Sequence, residues 1–209
     1  MAVAQTFKGW TGDFQGFFIG LKLDNSKTYF EAHRRQYEDD VKGPMQALLA
    51  ELEPEFGTAK LARPNRDIRF SADKSPYKTN IYADCQGGGY VALDAEGLVA
   101  AGGRYMMEPA DLAKFRDAVA HDRKGAELTE IVERLRGKGH EIGGQELKRV
   151  PPPHAQDHPR ADLLRHKRLI YWTRWPVGPW IATPEAKDRV VQAWRDGEAL
   201  TGWLERNLA

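Results

Sequence analysis

A chain of 209 residues is long enough to bury one sizeable hydrophobic core and too short to require two domains. Hydrophobic residues make up 41% and charged residues 29%, and a formal net charge of +1 leaves no global field to draw the chain onto nucleic acid or an anionic membrane. The single cysteine, Cys85, excludes an intrachain disulfide and a multi-cysteine metal site, and its strand-like setting reads as a buried, inert thiol.

Met1 to Lys8 lacks a basic stretch leading into a long apolar run, so no signal peptide is expected. No later stretch has the length of a membrane span, which makes the cytoplasm the default location. Thr11-Gly12-Asp13 offers a helix cap, and Phe14, Phe17, Phe18 and Leu21 follow at the spacing of a core-facing helical stripe. A second helix is expected after Asn25-Ser26, with Tyr37, Val41, Met45, Leu48, Leu49 and Leu52 on one face and a kink or break at Gly43-Pro44. It should stop or kink at Glu53, ahead of Pro54, and Gly57 should end it.

Residues 66–80 read as two short strands joined by a polar loop. In the first, Ile68 and Phe70 share one face, and Asp67, Arg69 and Ser71 the other; in the second, Tyr77, Thr79 and Ile81 oppose Lys78, Asn80 and Tyr82. Gly87-Gly88-Gly89 reads as a turn, without the spaced glycines and Lys-Ser/Thr of a Walker loop. Residues 90–93 and 98–105 make a hairpin around Asp94-Ala95-Glu96-Gly97. The small Ala100, Ala101, Gly102 and Gly103 predict the close approach of a packed element or a ligand, packing being the commoner reason. Two helices follow, one opened by Glu108-Pro109 with Leu112, Phe115 and Val119 inward, the next carrying Leu128, Ile131, Val132 and Leu135. Glycines at 137, 139, 143 and 144 break the chain around a small strand. A strand at 147–150, an extended Pro151-Pro152-Pro153, a helix from Pro159, a strand at 169–175 and a terminal helix from Thr183-Pro184-Glu185 complete the reading. The fold class is α+β: a single domain with a mainly antiparallel central sheet at about 66–106, a helical part at about 11–56 before it and a helical and mixed part at about 110–209 after it.

The chemistry concentrates between Arg63 and Asn80. Arg63, Arg66, Arg69, Lys74 and Lys78 stand there against Asp67 and Asp73, a local excess of three positive charges in a nearly neutral chain. On a hairpin, Arg69, Ser71, Lys78 and Asn80 would share one face, and their guanidinium, ammonium, hydroxyl and amide donors suit a phosphate or carboxylate. The competing reading pairs Arg69 and Lys78 with Asp67, Asp73 or Glu31 in a structural ion-pair network. A second segment, Lys148, Arg149, His154, Asp157, His158, Arg165 and Lys167, could close the same site. Asp157-His158-Pro159 could orient a general base; the commoner role of such a cluster is to cap the next helix, and Asp157 is the better cap. The candidate ligand-binding residues are therefore Arg66, Arg69, Ser71, Asp73, Lys74, Lys78, Asn80, Lys148 and Arg149, with Asp67 and His158 the candidate acid–base groups. No metal site is assigned, since no recognised ligand spacing occurs, although Asp67, Asp73 and a distant His leave one open. No cofactor follows from the residues.

The stretch Arg-Asp-x-Arg-Phe-Ser-x-Asp-Lys-Ser-Pro-Tyr-Lys-Thr-Asn at 66–80 resembles the hallmark of the domain-of-unknown-function family 2461. Three further stretches fit in the same order: Tyr29-Phe30-Glu31-Ala32-His33-Arg34 with Tyr37 and Pro44, then Ala101-Gly102 with Glu108-Pro109, then Leu147-Lys148-Arg149 through Asp157-His158-Pro159 to Leu163-Leu164-Arg165 and Lys167. One departure stands out: where that family has a glycine soon after its Lys-Arg-x-Pro step, this chain has Pro151-Pro152-Pro153-His154. The resemblance implies a single-domain, bacterial-type soluble protein and implies no activity. Three functional readings follow in order: a protein or enzyme that binds a small anion, a nucleic-acid or protein-binding module using Tyr29, Phe30, Trp172, Trp175 and Trp180, and a structural ion-pair lattice without ligand. Near-zero net charge argues against the nucleic-acid partner.

Overall fold

The computed structural model describes residues 6–87, 89–145 and 147–208. Residues 1–5 of the Met1 to Lys8 stretch, in which no signal peptide is expected, and Gly88 of the glycine turn lie outside these residues. Contacts gather into two compact units, Met1–Ala100 with Arg174–Gln192, and Ala101–Thr173 with Ala193–Ala209.

In the first unit, Asp13 caps helix α1 (Phe14–Leu23) by accepting a 2.8 Å bond from the Gly16 N–H, and the four apolar residues of its stripe are buried. Ser26 caps α2 (Lys27–Ala32) in the same way through the Tyr29 N–H. A short turn at Arg34–Gln36 leads into a π-helix, Tyr37–Lys42, and then α3, Gly43–Phe56. The π turn meets the break expected at Gly43-Pro44: Pro44 has no N–H to give, and the Gly43 N–H reaches back five residues to the Glu38 carbonyl. Pro54, by contrast, does not end the helix. Its missing N–H falls in the last turn, and α3 runs on to Phe56 before Gly57, at φ 77°, terminates it.

The strands are β1 (Ala59–Leu61), β2 (Asn80–Cys85), β3 (Gly89–Asp94), β4 (Gly97–Arg104), β5 (Glu141–Gln145) and β6 (His166–Pro176). They form one sheet in the order β1-β2-β3-β4-β6-β5, antiparallel along β1–β2, β2–β3 and β5–β6. The α+β class and the antiparallel sheet hold. The strand expected at residues 66–71 does not form; just before it, Asn65 and Tyr77 make a single antiparallel bridge outside the six strands. Local bonds take its backbone instead: Asp67 accepts from the Arg69 N–H, Ser71 N–H donates to the Ile68 carbonyl, and Asp73 accepts from the Ser75 N–H. Such side-chain turns compete directly with a ladder. Phe70, placed by alternation on one strand face with Ile68, is 96% exposed.

The second unit packs α4 (Pro109–Ala120), α5 (Asp122–Gly137), α6 (Ala161–Leu164) and residues 193–208 of α7 (Glu185–Leu208) around Phe115, Leu128, Leu164, Leu169, Tyr171 and Trp203. The small residues of β4 have a packing reason: a Cβ at Gly102 would lie 2.6 Å from the Tyr171 hydroxyl oxygen. Residues 147–150, expected as a strand, run as bends. There the Gln156 amide pairs with both backbone groups of Val150 and takes the place a neighbouring strand would hold. No helix among the described residues is long and apolar enough to cross a membrane.

Candidate functional site

The polar segment 62–79 is fastened at its base. Arg66 N–H donates to the Pro76 carbonyl and Lys78 N–H to the Pro64 carbonyl, both at 2.8 Å. The Asn25 side chain, in the link between α1 and α2, accepts from the Tyr77 N–H at 2.9 Å and donates to its carbonyl at 3.1 Å. Tyr77 is buried, and its ring stacks on Phe30 with centroids 4.2 Å apart and planes 5° from parallel.

Above this anchor lies a cavity of about 360 Å³ lined by Lys22, Asn25, Arg66, Asp73, Ser75, Tyr77, Lys78, Thr79 and Asn80. Four of the residues nominated from sequence thus meet there: Arg66, Asp73, Lys78 and Asn80. Three cations, Lys22, Arg66 and Lys78, face one carboxylate, so the lining carries a positive balance. Asp73 is held by the Arg66 guanidinium and the Ser75 N–H; hydrogen bonds from Ser75 first, then Arg66, keep its carboxyl far below the usual carboxylate range. Lys78 Nζ donates to the Arg63 and Asn65 carbonyls at 2.5 and 2.7 Å.

Arg69, Ser71 and Lys74 are not among the lining residues. Arg69 is spent on Asp67, with bonds of 2.9 and 2.6 Å to its two oxygens, and this pairing lowers the Asp67 pKa; both side chains are well exposed. Lys74 Nζ donates to the Ile68 carbonyl at 3.0 Å and closes the loop on itself. Ser71 sits half-buried in the turn at 68–71.

A family model described as "Conserved hypothetical protein (DUF2461)" matches residues 13–203. The chain belongs to the DUF2461 family. No curated protein and no solved structure matches it.

In this DUF2461 chain the second nominated segment belongs to the other compact unit. Lys148 and Arg149 are exposed on the bends before buried Val150. His158, not Asp157, caps the following turn: its Nδ1 accepts from the Arg160 N–H at 3.0 Å, and its carbonyl accepts from the Ala161 N–H at 2.8 Å. Arg165 pairs with Asp162. His154 and His158 lie edge to face with ring centroids 6.4 Å apart, and among the described residues no three His, Cys, Asp or Glu groups are arranged to hold a metal. Sequence reasoning missed the polar chain of this unit altogether. Asp196 Oδ2 lies 3.1 Å from His140 Nε2, whose Nδ1 lies 2.7 Å from the Thr173 hydroxyl, while Lys138 donates to the other Asp196 oxygen at 2.5 Å. It also missed Lys22 and Asn25 in the first unit. An Asn immediately before a helix-capping Ser is the one signal available there, and that pattern marks only a helix boundary.

Proposed function

We propose that this DUF2461 protein binds a small anionic ligand, phosphorylated or carboxylated, in the cavity beside Tyr77. The observation that supports the reading is the convergence of Lys22, Arg66 and Lys78 with the amide and hydroxyl groups of Asn25, Asn80, Ser75 and Thr79 on one 360 Å³ space. A cytoplasmic location is part of the same proposal. The test is thermal melting against phosphate, sugar phosphates and small carboxylates, with Arg66→Ala and Arg69→Ala beside the parent chain. Ligand at a hundred times its Kd stabilises the native state by about 2.7 kcal/mol, a rise of a few degrees. Arg66→Ala should abolish that rise and Arg69→Ala should keep it, because Arg69 serves Asp67 outside the cavity.

The Arg66–Asp73 and Arg69–Asp67 pairs favour a second reading, an ion-pair lattice that shapes the loop without a ligand. Under it no anion raises the melting temperature, and Arg66→Ala merely lowers it.

A further inference from the structure

The cavity beside Tyr77 holds a group that a site for a bare anion would leave out. Asp73 stands in its wall among Lys22, Arg66 and Lys78, and its carboxylate repels any phosphate oxygen brought against it. It is fixed from two sides: Oδ2 takes the Arg66 guanidinium, and Oδ1 takes the Ser75 N–H at 2.9 Å. Both partners line the cavity as well, and 58% of the Asp73 side chain stays exposed beside them. A carboxylate accepts about four hydrogen bonds, so acceptor capacity is left for a ligand. The bonds from Ser75 and Arg66 also keep its pKa far below the usual range, so around neutral pH it only accepts. What such a group takes from a ligand is the proton of a hydroxyl.

The rest of the lining says what else that ligand carries. Three cations against one carboxylate leave an excess of two positive charges. That balance suits one phosphate monoester, which carries about −1.5 to −2 at neutral pH. Thr79 and Asn80 add a hydroxyl and an amide, groups that both donate and accept and so pair with alcohols. A nucleotide base finds no platform: Tyr77 is the one ring among these lining residues, and it is buried with Phe30 stacked on it.

We propose that the cavity binds a phosphorylated polyol, a sugar or sugar-alcohol monophosphate, with the phosphate toward Lys22 and a ligand hydroxyl donating to Asp73; the inference rests on the anion-binding reading above. Lys22 suits the phosphate end, since its contact with Glu96 is a loose 3.9 Å. Asp73 then sets specificity. It weakens the hold on a bare anion and favours a ligand that brings a hydroxyl within its reach.

Isothermal titration calorimetry on the full chain tests this with glycerol 3-phosphate, ribose 5-phosphate, glucose 6-phosphate, ethyl phosphate and succinate. Ethyl phosphate carries the same charged group without a hydroxyl, and succinate is the carboxylate arm. At least one polyol phosphate should bind about tenfold or more tighter than ethyl phosphate, as a hydrogen bond to a charged group is worth. Asp73→Asn should erase most of that preference and, with the repelling charge gone, should tighten ethyl phosphate. A carboxylate that merely shapes the loop would instead weaken every phosphate together. That result, or a preference that survives Asp73→Asn, overturns the inference. If the parent chain prefers no polyol phosphate by that margin, or binds succinate alone, the polyol inference is overturned and the anion site stands. If none of the five ligands binds, both are overturned. Should Asp73→Asn fail to fold, the affinity ratios of the parent chain decide alone.

Discussion

Tyr77 and Phe70 lie seven positions apart in one polar segment and have opposite fates. Tyr77 is buried against Phe30 and bonded through both backbone groups to Asn25, while Phe70 stands almost wholly in water. Tyr77→Ala should therefore cost about 3–5 kcal/mol in urea unfolding, the range for deleting a buried aromatic, and should loosen the cavity floor with it. Phe70→Ser should leave stability within about 0.5 kcal/mol of the parent, as exposed substitutions do. Alternation made Tyr77 legible and Phe70 misleading for the same reason. It presumes a ladder, and the ladder begins at Asn80. Asp67 and Asp73 each turn a carboxylate back onto a backbone N–H two residues on, and nothing in an alternating pattern announces which Asp will do so. The composition of the candidate site was thus readable at Arg66, Asp73, Lys78 and Asn80. Its partners Lys22 and Asn25 lie some fifty residues away in sequence, and nothing local to them points to the 66–80 segment.

Helices were the legible elements, because a buried stripe repeats every three to four residues whatever the tertiary context. β1 was not, since three residues cannot display a period. At this scale Gly197 sets two effects against each other. Replacing a helical glycine by alanine gains up to about 1 kcal/mol of propensity. Here, however, the new Cβ would lie 2.0 Å from the Tyr171 hydroxyl oxygen, whose ring is buried among Leu169, Leu200 and Trp203. Overpacking of that kind costs about 1–3 kcal/mol, so Gly197→Ala should lower the denaturation midpoint. A second prediction concerns the β3–β4 turn, where Asp94 holds Arg174 through two bonds of 2.9 Å and also accepts from the Glu96 and Gly97 N–H groups. Burial alone would raise its pKa; the Arg174 and backbone bonds outweigh it and lower the pKa. Glu51, bonded to Lys187 and the Phe7 N–H, is lowered too. A carboxyl lowered by folding stabilises above its unfolded pKa of about 4, and that contribution fades as pH falls through the folded value. Arg174→Met should cost on the order of 1 kcal/mol at pH 7 and move the acid-unfolding midpoint, followed by far-UV circular dichroism, to higher pH.

For the whole molecule, the α+β class followed from short turns between neighbouring strands, but the strand order did not. β6 pairs with β5 and, in the sheet order, stands between it and β4; a strand that enters late in the chain and lies between earlier ones leaves no trace in local sequence. The same order leaves β1 and β5 as the two outer strands, with consequences for how the protein behaves at high concentration. An outer strand presents unpaired N–H and C=O groups that can recruit a second chain into an extended aggregate. β1 offers only three residues, with exposed Lys60 at its centre, and β5 is interrupted by a register shift at Gly143 and Gln145. Neither rim is long or regular enough to template further pairing. A protein whose sheet ends this way can expose a fully solvated Phe70 on a loop and still resist growing edge to edge.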